Sequence, residues 1–311
     1  MTILERRASD RRSPRLSGRS PRTHRRLRNR PARWQLEEQV RRAAEIQRSL
    51  LPDLSAPCGE YRLASLCRPC EALGGDFHDL FRDGNRATLL VADVMGHGIE
   101  AALPTMLLRA VFREAATACE QPLTILDEMN GRLRGTIANG AFIAAAVVTL
   151  HSRSRPLKLA NAGLPHPFLL HSNPRGVEEI SLDGQPLGLF DHREPSPRGA
   201  TELTLAPGDV LLLTSDGIGS IESDDRESFE DHRVRQVLAG AAGRDGGDVI
   251  SALIHEAIEF SEARPWPDDI NLVAITRRGS GPTRGKARPY GPPVSDQGRR
   301  TEDDRNLDQQ E

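Results

Sequence analysis

Five short β-branched or leucine-rich runs follow one another at residues 142–150, 156–160, 167–170, 202–205 and 210–214, and a sixth lies at 270–275. Runs of this kind, set off by turn residues, read as strands, and Pro207-Gly208-Asp209 is the plainest of the turns between them. A parallel sheet would need a crossover of a dozen or more residues, usually a helix, after each strand. Here the helical patterns are grouped before and after the strand block, so the order of elements predicts an α+β fold with mostly hairpin-joined strands.

Helical periodicity appears at five places. Residues 34–51 hold no glycine or proline, and Leu36, Val40, Ala43, Gln47 and Leu50 recur at spacings of four and three, a heptad seam that Pro52 ends. Two heptads are too few for a coiled coil, and an isolated helix of this length is marginal in water, so it is expected to pack on the domain or on a second copy. A second helix begins near Ile99 with Ile99, Leu103, Met106, Leu107 and Ala110 on one face, Thr105 and Arg109 pointing elsewhere, and Leu108 and Phe112 on the far side, a pattern that leaves burial on more than one face open. Pro104 suits only its first turns or a kink. A third, at 122–135, turns Ile125, Leu126, Met129 and Leu133 inward, and the last two lie at 234–238 and 248–260.

The ends of the chain differ from this middle. Residues 1–33 carry twelve arginines against Glu5 and Asp10, so a net charge of −2 conceals a basic arm on an acidic body. The arm has no interleaved aromatics and no base-reading module, and it reads as a disordered, solvated segment; nucleic acid is not an expected partner. Residues 279–311 are Arg, Gly, Pro, Asp and Gln with almost no apolar content, and read as a disordered tail. The expected organisation is thus an arm at 1–33, a linker helix at 34–52, one folded domain at 58–278 and a tail at 279–311. No apolar run approaches the roughly 18 residues of a membrane span, and no secretory signal is present, so cytoplasmic residence is expected. Cys67-Arg68-Pro69-Cys70 has redox or half-zinc spacing, but only Cys58 and Cys119 remain. The segment before it reads as a strand, so the four thiols are expected to be incidental buried cysteines.

Four runs place an aspartate beside glycine or a second acid: Gly74-Gly75-Asp76-Phe77, Val91-Ala92-Asp93-Val94-Met95-Gly96-His97-Gly98, Ser215-Asp216-Gly217 and Asp268-Asp269-Ile270-Asn271. Singly, each is an ordinary turn former. Together they assemble carboxylates with glycines that allow close backbone approach, and Asp93 and Asp216 each stand where an apolar run ends, at strand exits. An oxygen-only donor set suits Mg²⁺ or Mn²⁺, whereas zinc would recruit cysteine and histidine. This points to metal-assisted chemistry on phosphate.

These segments resemble the PPM-type, protein phosphatase 2C-like serine/threonine phosphatases of the bacterial SpoIIE/RsbU branch. The likeness runs in order through residues 45–52 (EIQRSLLP), 74–81 (GGDFHDLF), 91–98 (VADVMGHG), 161–163 (NAG), 185–189 (QPLGL), 208–217 (GDVLLLTSDG) and Asp268-Asp269. The resemblance implies a four-layer α-β-β-α sandwich of two antiparallel sheets flanked by helices, with two Mn²⁺ or Mg²⁺ ions at one end. Position by position, it implies that Asp76 and Asp93 are shared ligands, that Val94 contributes its carbonyl, and that Asp216 and either Asp268 or Asp269 hold one metal. Two such ions would activate water for in-line attack on phosphorus, with His97 a candidate proton donor to the leaving serine. Four positions depart from the pattern: His78 replaces an aromatic, Leu164 a histidine, Ser220 a glutamate and Asn271 a threonine.

The activity implied is metal-dependent hydrolysis of phosphoserine or phosphothreonine, with a phosphorylated STAS-type anti-sigma-factor antagonist of a partner-switching pathway as the substrate. Control would come from a partner, from homodimerisation through residues 34–51, or from expression. Two alternatives belong to other classes: a catalytically degenerate phosphatase fold that binds a phosphoprotein, and a nucleic-acid-associated protein working through its arm.

Overall fold

The computed structural model describes residues 30–137, 141–152, 156–173, 175–189, 199–229 and 231–279. The expected arm up to residue 29 and the expected tail from 280 lie outside the described residues. The chain divides into two compact units, one ending at Leu50 and the other beginning at Leu51.

The first unit contains α1 (Arg30–Leu50), which starts four residues before the expected position and so takes residues 30–33 out of the arm. Arg33 pairs with Glu37, and Arg41 and Arg42 both reach Glu38 at helical spacing. Such pairs stabilise an exposed helix by about 0.2–0.5 kcal/mol each. Trp34, Leu36 and Ile46 are exposed.

In the second unit β1 (Tyr61–Arg68), β2 (Phe77–Asp83), β3 (Arg86–Val94), β4 (Ile143–His151), β5 (Leu157–Ala162), β6 (Phe168–Leu170), β7 (Val177–Glu179), β8 (Ala200–Leu203), β9 (Val210–Thr214) and β10 (Ile270–Arg277) form two five-stranded sheets. One has the order β1-β10-β9-β6-β7, the other β2-β3-β4-β5-β8, and every pair within them is antiparallel. The sheets pack face to face. Leu63, Leu211, Leu213, Val273 and Ile275 of the first meet Leu80, Leu89, Val91, Val148 and Leu159 of the second. The other face of the second sheet is covered by α2 (Gly98–Ala118) and α3 (Pro122–Leu133), and that of the first by α4 (Asp231–Ala241) and α5 (Gly246–Phe260). The expected four-layer sandwich is what the chain forms. Among the described residues no helix is long and apolar enough to cross a membrane.

Of the two apolar faces that the sequence offers α2, the structure buries the one with Leu108 and Phe112. The buried side of this helix is Ala101, Ala102, Thr105, Leu108, Val111, Phe112, Ala115 and Ala116, whereas Ile99, Leu103 and Met106 are 52%, 69% and 38% exposed. Two causes select this face. Small residues let the helix approach the sheet closely, and the fully buried Asp79 of β2 demands a cationic partner. Arg113 supplies it through Nε at 2.6 Å and Nη2 at 2.8 Å, with Arg109 Nε at 3.4 Å.

The cysteines also differ in part from expectation. All four are free thiols, but only Cys58 is fully buried. Burial first, then Asp76 and Asp269, push the Cys67 thiol up, and burial with Asp269 pushes Cys70 up to about 12. Thiols held protonated in this way are poor nucleophiles.

Candidate metal centre

The two sheets end together in a cluster of acids. Asp76 directly precedes β2, and Asp93 and Val94 close β3, the neighbouring strand of the same sheet. Asp216 opens the single 3-10 turn after β9, and Asp268 and Asp269 directly precede β10, which pairs with β9 in the other sheet. All the acids singled out from sequence therefore gather at one end of the inter-sheet layer.

Alternation explains why their side chains enter that layer. Leu89 and Val91 face the inter-sheet core, and Asp93 continues their column on β3; Leu80 does the same for His78 and Asp76. On the first sheet Leu211 and Leu213 lead to Ser215, and Ile275 and Val273 lead to Asn271. The site is the polar continuation of four apolar columns.

Crowding and burial leave these carboxylates poorly served. Asp76 is 4% exposed; its Oδ2 accepts from Ser215 Oγ at 2.8 Å, while its buried Oδ1 has no partner. Burial first, then the Asp93 charge, push its carboxyl well above the usual range, against the Ser215 hydrogen bond. Asp93 is pushed up to about 7 by burial, by the charges of Asp216, Asp268 and Asp269, and by a hydrogen bond shared with Asp216. Asp268 is raised too, by burial ahead of the Asp216 and Asp269 charges, against the hydrogen bond from Asp269 N.

The adjacent acids have different tasks. Asp269 accepts from Cys70 N at 2.8 Å through Oδ1 and from Gly75 N at 2.7 Å through Oδ2, which pins the loop before β2. Asp268 accepts one backbone hydrogen bond, from Asp269 N at 2.8 Å. The geometry thus favours Asp268 over Asp269 as the carboxylate left to face the cluster. Glycine is required around this pin: a Cβ on Gly74 would lie 2.4 Å from Asp269 Oδ2, and one on Gly217 would lie 1.8 Å from Asp269 O. A Cβ on Gly75 would lie 2.5 Å from the Val94 carbonyl oxygen.

His97 is the N-cap of α2, and its Nδ1 lies 2.9 Å from Glu71 Oε1, with both side chains about half exposed. Sequence reasoning missed Glu71, which no motif marks, and missed Ser215 as a partner of Asp76.

Among the described residues no three of His, Cys, Asp and Glu are drawn closely enough together to hold an ion between them. The donors still fit a hard divalent cation. They are oxygens only, burial and neighbouring acids raise the cost of ionising Asp76, Asp93 and Asp268, and one buried carboxylate oxygen has no other partner.

A sequence model of the family described as Stage II sporulation protein E (SpoIIE) matches residues 83–278. The chain belongs to the SpoIIE family. It is 27% identical over 152 residues to phosphoserine phosphatase RsbP of Bacillus subtilis strain 168, covering 47% of this chain but only 36% of RsbP. Against phosphoserine phosphatase RsbU of the same organism it is 20% identical over 247 residues, covering 78% of this chain and 71% of RsbU. Among solved structures, the SiaA-PP2C domain of Pseudomonas aeruginosa superposes with a TM-score of 0.70 at 27% identity, covering 79% of this chain and 98% of that domain.

Two motifs of this SpoIIE-family chain have structural tasks. Asn161 Nδ2 donates to Leu164 O at 2.9 Å and Leu182 O at 2.7 Å, and its Oδ1 accepts from Leu164 N, so Asn161-Ala162-Gly163 fixes a loop. Gly188 N donates to Asn130 Oδ1 at 2.7 Å, which ties residues 185–189 to α3. Two departures from the family pattern meet each other: His78 Nδ1 lies 2.9 Å from Asn271 Oδ1, both buried.

Proposed function

We propose that this chain is a Mg²⁺- or Mn²⁺-dependent phosphatase of phosphoserine and phosphothreonine in proteins. The observation that carries the reading is the convergence of Asp76 and Asp93 from one sheet with Asp216 and Asp268 from the other, around a buried carboxylate oxygen without a partner. Two hard divalent ions bound there would supply an activated water and neutralise charge on the phosphoryl oxygens.

Asp76, Asp93, Asp216, Asp268 and the Val94 carbonyl would hold them. Asp269 holds the Cys70–Gly75 loop against this set, and Ser215 holds Asp76. His97, with Nδ1 turned to Glu71, keeps Nε2 for delivering a proton to the departing serine or threonine oxygen. Membership of the SpoIIE family and similarity to the phosphoserine phosphatases RsbP and RsbU support the reaction class. On the same ground a phosphorylated STAS-type anti-sigma-factor antagonist is the proposed substrate. Residues 34–51, with Trp34, Leu36 and Ile46 exposed, are the proposed self-association segment.

The test is hydrolysis of a generic aryl phosphate with and without Mn²⁺, by the wild type and by Asp216→Asn. Mn²⁺-dependent turnover that disappears in the variant supports the reading; a folded, Mn²⁺-loaded wild type without turnover on the aryl phosphate or on phosphoserine protein counts against it.

A further inference from the structure

We infer that Ser215 and Asn271 are positioning residues that set the spacing between the two halves of the metal centre; this rests on the metal-dependent reading above. The register of β9 and β10 pairs Leu272 with Thr214 and, one step on, places Ser215 opposite Asn271. Ser215 N donates to Asn271 O at 2.9 Å, as an antiparallel ladder requires. The return bond does not go to the Ser215 carbonyl. Asn271 N donates instead to Ser215 Oγ at 2.9 Å, so the last rung of the ladder closes on a side chain.

That substitution fixes the direction of the hydroxyl proton. With a lone pair of Oγ taken by the Asn271 amide, the hydroxyl hydrogen is directed to Asp76 Oδ2, 2.8 Å away on the other sheet. The same Asn271 reaches that sheet twice more: Nδ2 donates to Phe77 O at 2.9 Å, and Oδ1 meets His78 Nδ1 at 2.9 Å. Ser215, Asn271 and His78 are 1%, 0% and 2% exposed, so little water reaches these groups. Three links therefore run from the start of β10 and the end of β9 to the start of β2, all within the strand ends that carry Asp216, Asp268 and Asp76. The Ser215 link occupies Oδ2 of Asp76 and leaves Oδ1 as the oxygen directed to a cation, while the two Asn271 links hold the start of β2 to the other sheet.

Titration calorimetry with Mn²⁺ as the probe tests this on the full chain, for the wild type, Ser215→Ala, Ser215→Thr and Asn271→Ala, with metal-free melting of each as a control for folding. Partners that orient a ligand are worth roughly 10- to 100-fold in metal affinity. Ser215→Ala is expected to bind Mn²⁺ at least tenfold more weakly, and Ser215→Thr, which keeps the hydroxyl, to recover most of that loss. Aryl phosphatase activity lost by Ser215→Ala at low Mn²⁺ is expected to return at saturating Mn²⁺. Unchanged Mn²⁺ affinity in folded Ser215→Ala, or in Asn271→Ala should the first variant not fold, overturns the inference. A wild type that binds no Mn²⁺ overturns the metal-centre reading and this inference with it; normal wild-type binding beside an indifferent Ser215→Ala overturns the inference alone.

Discussion

Replacing Asp93 by asparagine is expected to stabilise the metal-free protein while removing its response to metal. In the folded chain the Asp93 carboxyl is pushed from an ordinary 3.8 up to about 7, first by burial and then by the neighbouring acids. Folded Asp93 keeps its proton up to about pH 7, whereas the unfolded chain releases it near pH 4. Between those values folding takes up a proton, so stability falls as pH rises; below pH 4 or above pH 7 the two states agree and the slope vanishes. A separation of about three pH is worth at most about 4 kcal/mol, the penalty at pH 8 that asparagine avoids. Buried His78 acts oppositely: burial pushes it from 6.5 to about 4, so from pH 4 to 6.5 the unfolded chain holds the extra proton and stability rises with pH. The His78 slope opposes that of the acids between pH 4 and 6.5 and is common to both proteins, so the difference between variant and wild type reads Asp93 together with the charge it places beside Asp76. Urea denaturation in EDTA at pH 4, 6 and 8 is the assay. The advantage of Asp93→Asn should be near zero at pH 4, grow through pH 6 and level off by pH 8. At pH 8, Mn²⁺ at a hundred times its Kd should then raise the wild type by about 2.7 kcal/mol and leave the variant unmoved. An advantage that does not grow with pH would refute the argument that the acids of this cluster repel one another inside the fold.

Four further outcomes follow from the packing. Leu103→Glu on the exposed side of α2 should shift stability by less than about 0.5 kcal/mol, whereas Leu108→Ala on the buried side should cost about 2–5 kcal/mol, both read from urea midpoints. Arg113→Met should cost about 3 kcal/mol because it leaves the buried Asp79 with Arg109 and the Leu80 amide as its remaining partners, and adding Asp79→Leu should recover most of that loss in the same assay. Gly84→Ala should cost about 1–2 kcal/mol for its left-handed backbone, since a Cβ there meets nothing. Gly217→Ala should cost more and abolish the Mn²⁺-induced rise in melting temperature, because its Cβ would displace the backbone of Asp269.

The parts of the fold legible in the sequence are those where one signal dominates. The run at 210–214 is β9 itself, and the patterns at 248–260 and 122–135 lie within two residues of α5 and α3 at each end. β2 carries no legible strand pattern because the polar His78 and Asp79 interrupt it, and both are buried only through their partners Asn271 and Arg113. β7 was missed because a three-residue strand of Val177, Glu178 and Glu179, half-buried or exposed, carries no alternation to detect. On α2 two apolar stripes compete and periodicity does not choose between them; the choice is made by the ion pair of Arg113 with Asp79, 34 residues away in sequence. Asp268 and Asp269 could not be separated from sequence because identical side chains sit in identical turn chemistry. The distinction comes from the amides of Cys70 and Gly75, 199 and 194 residues distant.

The position of the candidate site shows why its individual acids looked ordinary. Along β3 both faces are apolar, Leu89 and Val91 toward the other sheet, Leu90 and Ala92 toward α2 and α3, so periodicity alone does not say which layer Asp93 enters. Only the facing sheet resolves the phase: Leu211 and Leu213 of β9 share the inter-sheet core with Leu89 and Val91, which puts Ser215 and Asp93 in one layer. Four strand ends then turn polar at the same end, and the core that orders the apolar part of each column also orders its last residue. Repulsion among Asp76, Asp93, Asp216 and Asp268 is sustained by that packing, and a cation is the ligand that relieves it. The same reasoning predicts that enlarging the inter-sheet core near the site, as with Val91→Leu, should weaken Mn²⁺ binding more than it weakens the metal-free fold, because a shift too small to unfold the sheets still separates ligands held on opposite ones. Equal losses in Mn²⁺ affinity and metal-free stability would instead mean that the site adjusts independently of the core beneath it.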